Sequence, residues 1–228
     1  MLGVVVPAHN EEARIAACLH SLKRAAAFPG LRGEPVEIVV ALDACDDATA
    51  AVVLEHDVSV VVVNARNVGI ARACGAEVAL AVGARWLAFT DADTVVAPDW
   101  LYAQLALGSD AVCGTVEVGD WGEGDAALRQ HHSETYFDVD GHRHIHGANM
   151  GVSAGSYISV GGFQPLCSSE DVALVQALQV HGSSIAWSAS PRVVTSARRH
   201  YRAPGGFGQT LATLQEQLAS VPTAQEHP

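Results

Sequence analysis

Short apolar runs of strand length recur through the first half of this chain, each followed by a stretch that reads as helix. Leu2–Val6, Val36–Leu42, Val58–Val63 and Trp86–Thr90 carry almost no polar side chains. A strand without a polar face must be covered on both sides, and alternation with helices makes a parallel sheet the natural solution. Ile15, Leu19 and Leu22 share one helical face after the first run, and Val68–Val82 reads as an Ala-rich helix. In such sheets ligands sit outside the carboxyl ends of the strands. Three polar clusters fall at those ends: His9-Asn10-Glu11, Asp43 with Asp46-Asp47, and Asp91-Ala92-Asp93. Asn10 is expected to cap the first helix, with Glu11 and Glu12 in its first turn.

The second half is less regular. Pro98–Leu107 reads as helix, Ala111–Val118 as strand, and Gly119–Gly124 as a Gly-rich loop around Trp121. Ala126–Phe137 is expected to be helical, His144–Val152 a strand, and Ser153–Val160 a short helix ending at Gly161-Gly162. Glu170–His181 is a clear helical pattern with Leu174, Ala177 and Leu178 inward. Shorter runs follow at Ser184–Trp187 and Arg192–Thr195, then a basic stretch from Arg198 to Arg202, a Gly-rich start to a last helix, and a polar tail.

At 228 residues without an internal repeat or linker, one domain is expected, with residues 1–95 as a first half, 96–203 as a second, and 204–228 as a C-terminal helix and tail. The formal net charge of −12 disfavours nucleic acid as a partner. It also means that an anionic substrate would need a local cation. No apolar run reaches the ~18 residues of a membrane span, and no leader pattern opens the chain. Five widely spaced cysteines without a CxxC pair suit a reducing compartment, so a cytoplasmic location is expected. A homo-oligomer is compatible with the sequence.

Asp91 and Asp93 follow a buried strand. In an extended segment, residues two apart point the same way, so both carboxylates are expected to face one ion. Hard oxygen ligands suit Mg²⁺ or Mn²⁺, which keep room for phosphate oxygens. A capping Asp beside a solvated turn is the plainer alternative. Glu170-Asp171 opens a helix, where an acid can serve as general base or simply complement the helix dipole. His142, His144 and His146 alternate along an expected strand, fitting a polar pocket wall better than a metal site, since no acidic ligand at zinc-like spacing accompanies them.

These motifs, taken in order, resemble family 2 glycosyltransferases. The resemblance runs through Pro7-Ala8-His9-Asn10-Glu11-Glu12, Asp43, Asn67-Val68-Gly69 with Arg72, and Asp91-x-Asp93. It continues through Gly147-Ala148-Asn149-Met150-Gly151, Gly161-Gly162-Phe163 and Glu170-Asp171. It spans residues 2 to 200 or so and implies a GT-A fold: α/β, a single Rossmann-like mixed sheet with helices on both faces.

The resemblance also implies roles. Pro7, His9 and Glu11 would line the base and ribose, Asp43 would bond the base, and Arg72 would face the phosphates, with Asn149 also in the donor site. Asp91 would contact ribose or metal, and Asp93 would be the principal ligand of a Mn²⁺ or Mg²⁺ ion. Asp171, with Glu170 beside it, would be the base toward the acceptor hydroxyl. His200 resembles a third metal ligand used by some GT-A enzymes. Trp121, His144 and His146 would face the acceptor. The chain departs from the family in offering one Asp where the second strand often ends in two. It also lacks the Gln-x-x-Arg-Trp signature of processive synthases. The implied activity is metal-dependent, inverting and non-processive transfer of a sugar from a UDP- or GDP-linked donor to a hydroxyl of a small or carrier-linked acceptor. A nucleotidyltransferase is one alternative, although the loop after the first strand is acidic and Gly-free where such enzymes carry a basic, Gly-rich one. A non-catalytic sugar- or nucleotide-binding protein is another.

Overall fold

The apolar runs form the parallel half of one sheet; three are buried within it, while the Val58–Val63 run supplies its edge strand and leaves Val62 79% exposed. The computed structural model describes residues 1–120 and 126–196. Trp121, His200 and the expected C-terminal helix lie outside the described residues. In chain order the elements are β1 (Leu2–Ala8), α1 (Ile15–Ala26), β2 (Val36–Asp43), α2 (Thr49–Leu54), β3 (Ser59–Val63), α3 (Val68–Ala81), β4 (Trp86–Phe89), β5 (Val95–Val96) and α4 (Trp100–Ala106). They continue with β6 (Ala111–Gly114), β7 (Glu117–Asp120), α5 (Ala126–Thr135), β8 (Met150–Ser153), α6 (Ala154–Ser159), α7 (Glu170–His181), β9 (Ile185–Ser188) and β10 (Val193–Ser196).

A seven-stranded sheet runs in the order β3-β2-β1-β4-β8-β6-β9. All neighbours are parallel except β8, which is antiparallel to both β4 and β6. Alternate side chains enter two cores. Val4, Val6, Val40, Leu42 and Ala88 pack toward Ile15, Leu19, Leu22 and Trp100 of α1 and α4. Val5, Val39, Leu87, Phe89 and Met150 pack toward Ala76, Tyr157, Leu174 and Leu178 of α3, α6 and α7. Among the described residues no helix is long and apolar enough to cross a membrane.

Four local expectations are corrected. Asn10 caps nothing: its φ of 56° puts it in the left-handed region, and α1 starts at Ile15. Its side chain is engaged across the loop by Asp46, a tertiary partner that outcompetes the cap. Ala111–Val118 is two strands, β6 in the main sheet and β7 in a separate three-stranded sheet, β5-β10-β7. The expected strand over His144–Val152 shrinks to Met150–Ser153, and the histidines stand outside it. Asp91 to Asp93 is not extended: the Thr94 N–H donates to the Asp91 carbonyl at 3.1 Å, closing a turn.

Candidate active site

The carboxyl ends of β1, β2, β4, β6 and β9 and the amino end of β8 share one rim of the sheet, because β8 alone runs backwards. Two loops on this rim are laced together. Asn10 donates to Asp46 at 2.5 Å and accepts from the Asp46 N–H at 2.9 Å. Glu12 accepts from the Ala48 N–H at 2.8 Å, and the Glu11 N–H donates to Thr49 at 2.6 Å. His9 holds its Nδ1 2.7 Å from the Asp43 carbonyl, which can only accept, so that nitrogen carries the proton. The acidic cluster at the end of β2 is therefore largely structural.

Asp43 is buried, and its carboxylate is committed. One oxygen accepts the Ala65 and Arg66 N–H groups at 2.8 Å each, and the other accepts Asn67 N–H at 2.7 Å. It shapes the loop that launches α3. Asn149 is likewise turned inward, with 0% of its surface exposed. Its amide oxygen accepts from Trp100 Nε1 at 2.8 Å, and its nitrogen donates to the carbonyls of Thr115 and Pro191 at 2.7 and 2.8 Å. With both amide hydrogens used, Asn149 ties three segments together.

Arg72, projecting from α3, is the centre of the site. It is 3% exposed. Its Nη2 donates to Asp91 Oδ1 at 2.6 Å, and its Nη1 donates to Glu170 Oε1. Burial works against the charge on Arg72, but Asp91, Glu170 and Asp171 outweigh it and raise its pKa. Burial pushes the Glu170 carboxyl up, opposed by Arg72 and reinforced by Asp171. The Asp91 side chain keeps 38% exposure but is closely walled by protein. Desolvation there raises its pKa, Arg72 opposes this, and Asp93 adds to it.

Asp93 accepts from the Ser196 hydroxyl at 3.1 Å, so the end of β10 meets the turn. Among the described residues, no group of three or more His, Cys, Asp or Glu is placed to hold a metal. The donor chemistry nonetheless fits a hard divalent cation. Asp91 and Asp93 repel one another, and Arg72 occupies only one oxygen of Asp91.

Across the site, Asp171 is partly buried and anchored twice, by the Gly147 N–H at 2.7 Å and by its neighbour Val172 N–H at 2.8 Å. Each carboxylate oxygen keeps a further lone pair. Beside it stands a column of near-parallel rings, His142, His144, Tyr136 and His132. The His144–Tyr136 centroids are 4.2 Å apart at 12°. Tyr136 Oη contacts His146 Nε2 at 3.1 Å and accepts the Val116 N–H at 2.8 Å. The imidazoles stack and do not converge, and among the described residues they form no group placed to hold an ion. Burial, then His144, lowers the His146 pKa to about 4. Tyr136 is a site neighbour that the sequence does not announce, since only the tertiary fold brings it to the histidines.

Comparisons with known proteins bear on the fold and the family. A structure of S. aureus TarS 1-349 in complex with UDP-GlcNAc superposes with a TM-score of 0.67 at 16% identity, covering 88% of this chain and 60% of that one. The mannosyltransferase PcManGT from Pyrobaculum calidifontis, in complex with GDP-Man and Mn²⁺, gives 0.59 at 20% identity, covering 93% and 69%. The fold is thus GT-A, and the chain spans about three-fifths of the TarS fragment. No curated protein sequence matches. The family model for glycosyl transferase family 2 matches residues 3–159, more than half of the chain, and the chain therefore belongs to that family.

Proposed function

We propose that this chain transfers a sugar from a nucleotide-diphosphate donor, UDP- or GDP-linked, to an acceptor hydroxyl, with inversion and one sugar per encounter. The observation that carries the reading is the single rim where Asp91 and Asp93, on the donor side, are joined through Arg72 to the segment bearing Asp171. TarS and PcManGT, whose structures are in complex with UDP-GlcNAc and GDP-Man, lend support through the shared fold.

Pro7, His9 and Glu11 border the base and ribose. Asp91 and Asp93 would hold Mn²⁺ or Mg²⁺, with His200 as a further ligand. When bound, the cation neutralises charge on the departing diphosphate as a Lewis acid. Asp171 takes the proton of the acceptor hydroxyl. The acceptor oxygen bonds to the anomeric carbon as the bond to the diphosphate breaks, and the electron pair leaves with the diphosphate. The Gly147 and Val172 N–H groups fix the Asp171 carboxylate so that a hydroxyl meets an oriented base. His144 and His146 border the acceptor, and the sequence alone adds Trp121, which lies outside the described residues.

The test is donor turnover with Mn²⁺ across UDP- and GDP-sugars, alongside the Asp93→Ala variant. A thermal-shift screen of nucleotides with and without Mn²⁺ identifies the base, because a ligand that binds only the folded state raises Tm. Pyrophosphate release from a nucleoside triphosphate would instead mark a nucleotidyltransferase. Binding without turnover over a broad panel would mark a non-catalytic binder.

A further inference from the structure

We infer that Arg72 is a positioning residue that sets the distance between the donor clamp and the acceptor base, and not a ligand of the donor phosphates. The inference rests on the proposed transfer reaction and adds a mechanical link to it. Arg72 is almost wholly enclosed, and both terminal nitrogens are spent on protein carboxylates, Asp91 on one side and Glu170 on the other. A guanidinium so engaged has little left to offer a diphosphate. Its Nε is buried without a hydrogen-bond partner, an expense that the two forked contacts must offset.

The two carboxylates belong to different halves of the site. Asp91 begins the turn that carries Asp93, and Glu170 is the residue before Asp171 at the start of α7. Arg72 thus grips the residue two before Asp93 and the residue just before Asp171.

Three other contacts tie the same parts together. The Gly147 N–H that orients Asp171 comes from a residue whose missing Cβ leaves room for the guanidinium. Asn67, which caps α3 through the Ile70 N–H at 3.0 Å, donates to the Pro165 carbonyl at 3.2 Å. Gly69 N–H donates to the Leu166 carbonyl at 3.2 Å. The 165–169 loop leading to Glu170 is therefore docked on the same helix end that projects Arg72. Phe163 lies beneath, its ring centre 5.8 Å from the guanidinium carbon. A lysine keeps the charge but cannot fork to two carboxylates held apart.

The experiment compares the unsubstituted chain with Arg72→Lys and Glu170→Gln, measuring kcat, donor KM, and nucleotide affinity with Mn²⁺. Glu170→Gln keeps the shape and removes the ion pair without touching any residue that meets the donor. Positioning predicts that both variants lose about 10- to 100-fold in kcat, as supports of this kind do. Nucleotide affinity then stays within about threefold. A phosphate ligand predicts the reverse, with Arg72→Lys losing nucleotide affinity at least tenfold while kcat at saturating donor is largely kept. That result overturns the inference and leaves the transfer reaction intact. An unsubstituted chain that turns over no donor defeats the transfer reaction itself.

Discussion

The backbone of Gly147 and the guanidinium of Arg72 are packed so closely that no side chain fits between them. Arg72 cannot retreat, because Asp91 and Glu170 hold it from two sides. The Gly147 N–H is also one of two donors that orient Asp171.

Gly147→Ala is expected to cost about 1–3 kcal/mol of stability, the usual range for overpacking a tight site. Activity should fall by more than the loss of folded protein explains. Urea unfolding and kcat, measured on the same preparation, separate the two effects.

Asp171→Asn preserves shape and removes the proton acceptor. A drop in kcat of about 100- to 10,000-fold is expected, with donor KM little changed. A large rise in donor KM with kcat retained would move the base elsewhere.

Asn149→Ala leaves the Trp100 Nε1–H and the Thr115 and Pro191 carbonyls without their partner in the interior. A loss of about 2–4 kcal/mol is expected from orphaned polar groups and an unfilled space. Chemical denaturation measures it.

His146 gives the fold a pH dependence of defined sign. Its folded pKa, about 4, lies below the unfolded value near 6.5, so below 6.5 the unfolded chain binds more protons. Its contribution to stability is full above that pH and is lost as pH falls toward 4. Urea midpoints between pH 7.5 and 4 should decline, and His146→Gln should flatten the decline.

The parallel core was legible because Leu2–Val6, Val36–Leu42 and Trp86–Thr90 carry almost no polar side chains, which leaves them one kind of place to go. The positions of Asp91 and Asp171 were legible for a related reason, since each follows or opens an element whose period is strong. Side-chain commitments were not. Asp43 and Asn149 have the chemistry of ligands, and only the tertiary fold reveals the partners from distant segments that they also hold. Asn10 failed as a cap for the same reason, because Asp46 lies 36 positions away in sequence. The divided β6 and β7 escaped notice because a run of apolar residues does not say which sheet each part joins.

The reversed direction of β8 has a geometric consequence for catalysis. Had it run with its neighbours, the stretch from Gly147 to Asn149 would open onto the opposite side of the molecule, far from Asp91. One counter-running strand brings the backbone that steadies Asp171 to the same rim as Asp91. The meeting of Asp91 and Asp171 at one rim is in this sense written into strand polarity before any side chain is considered.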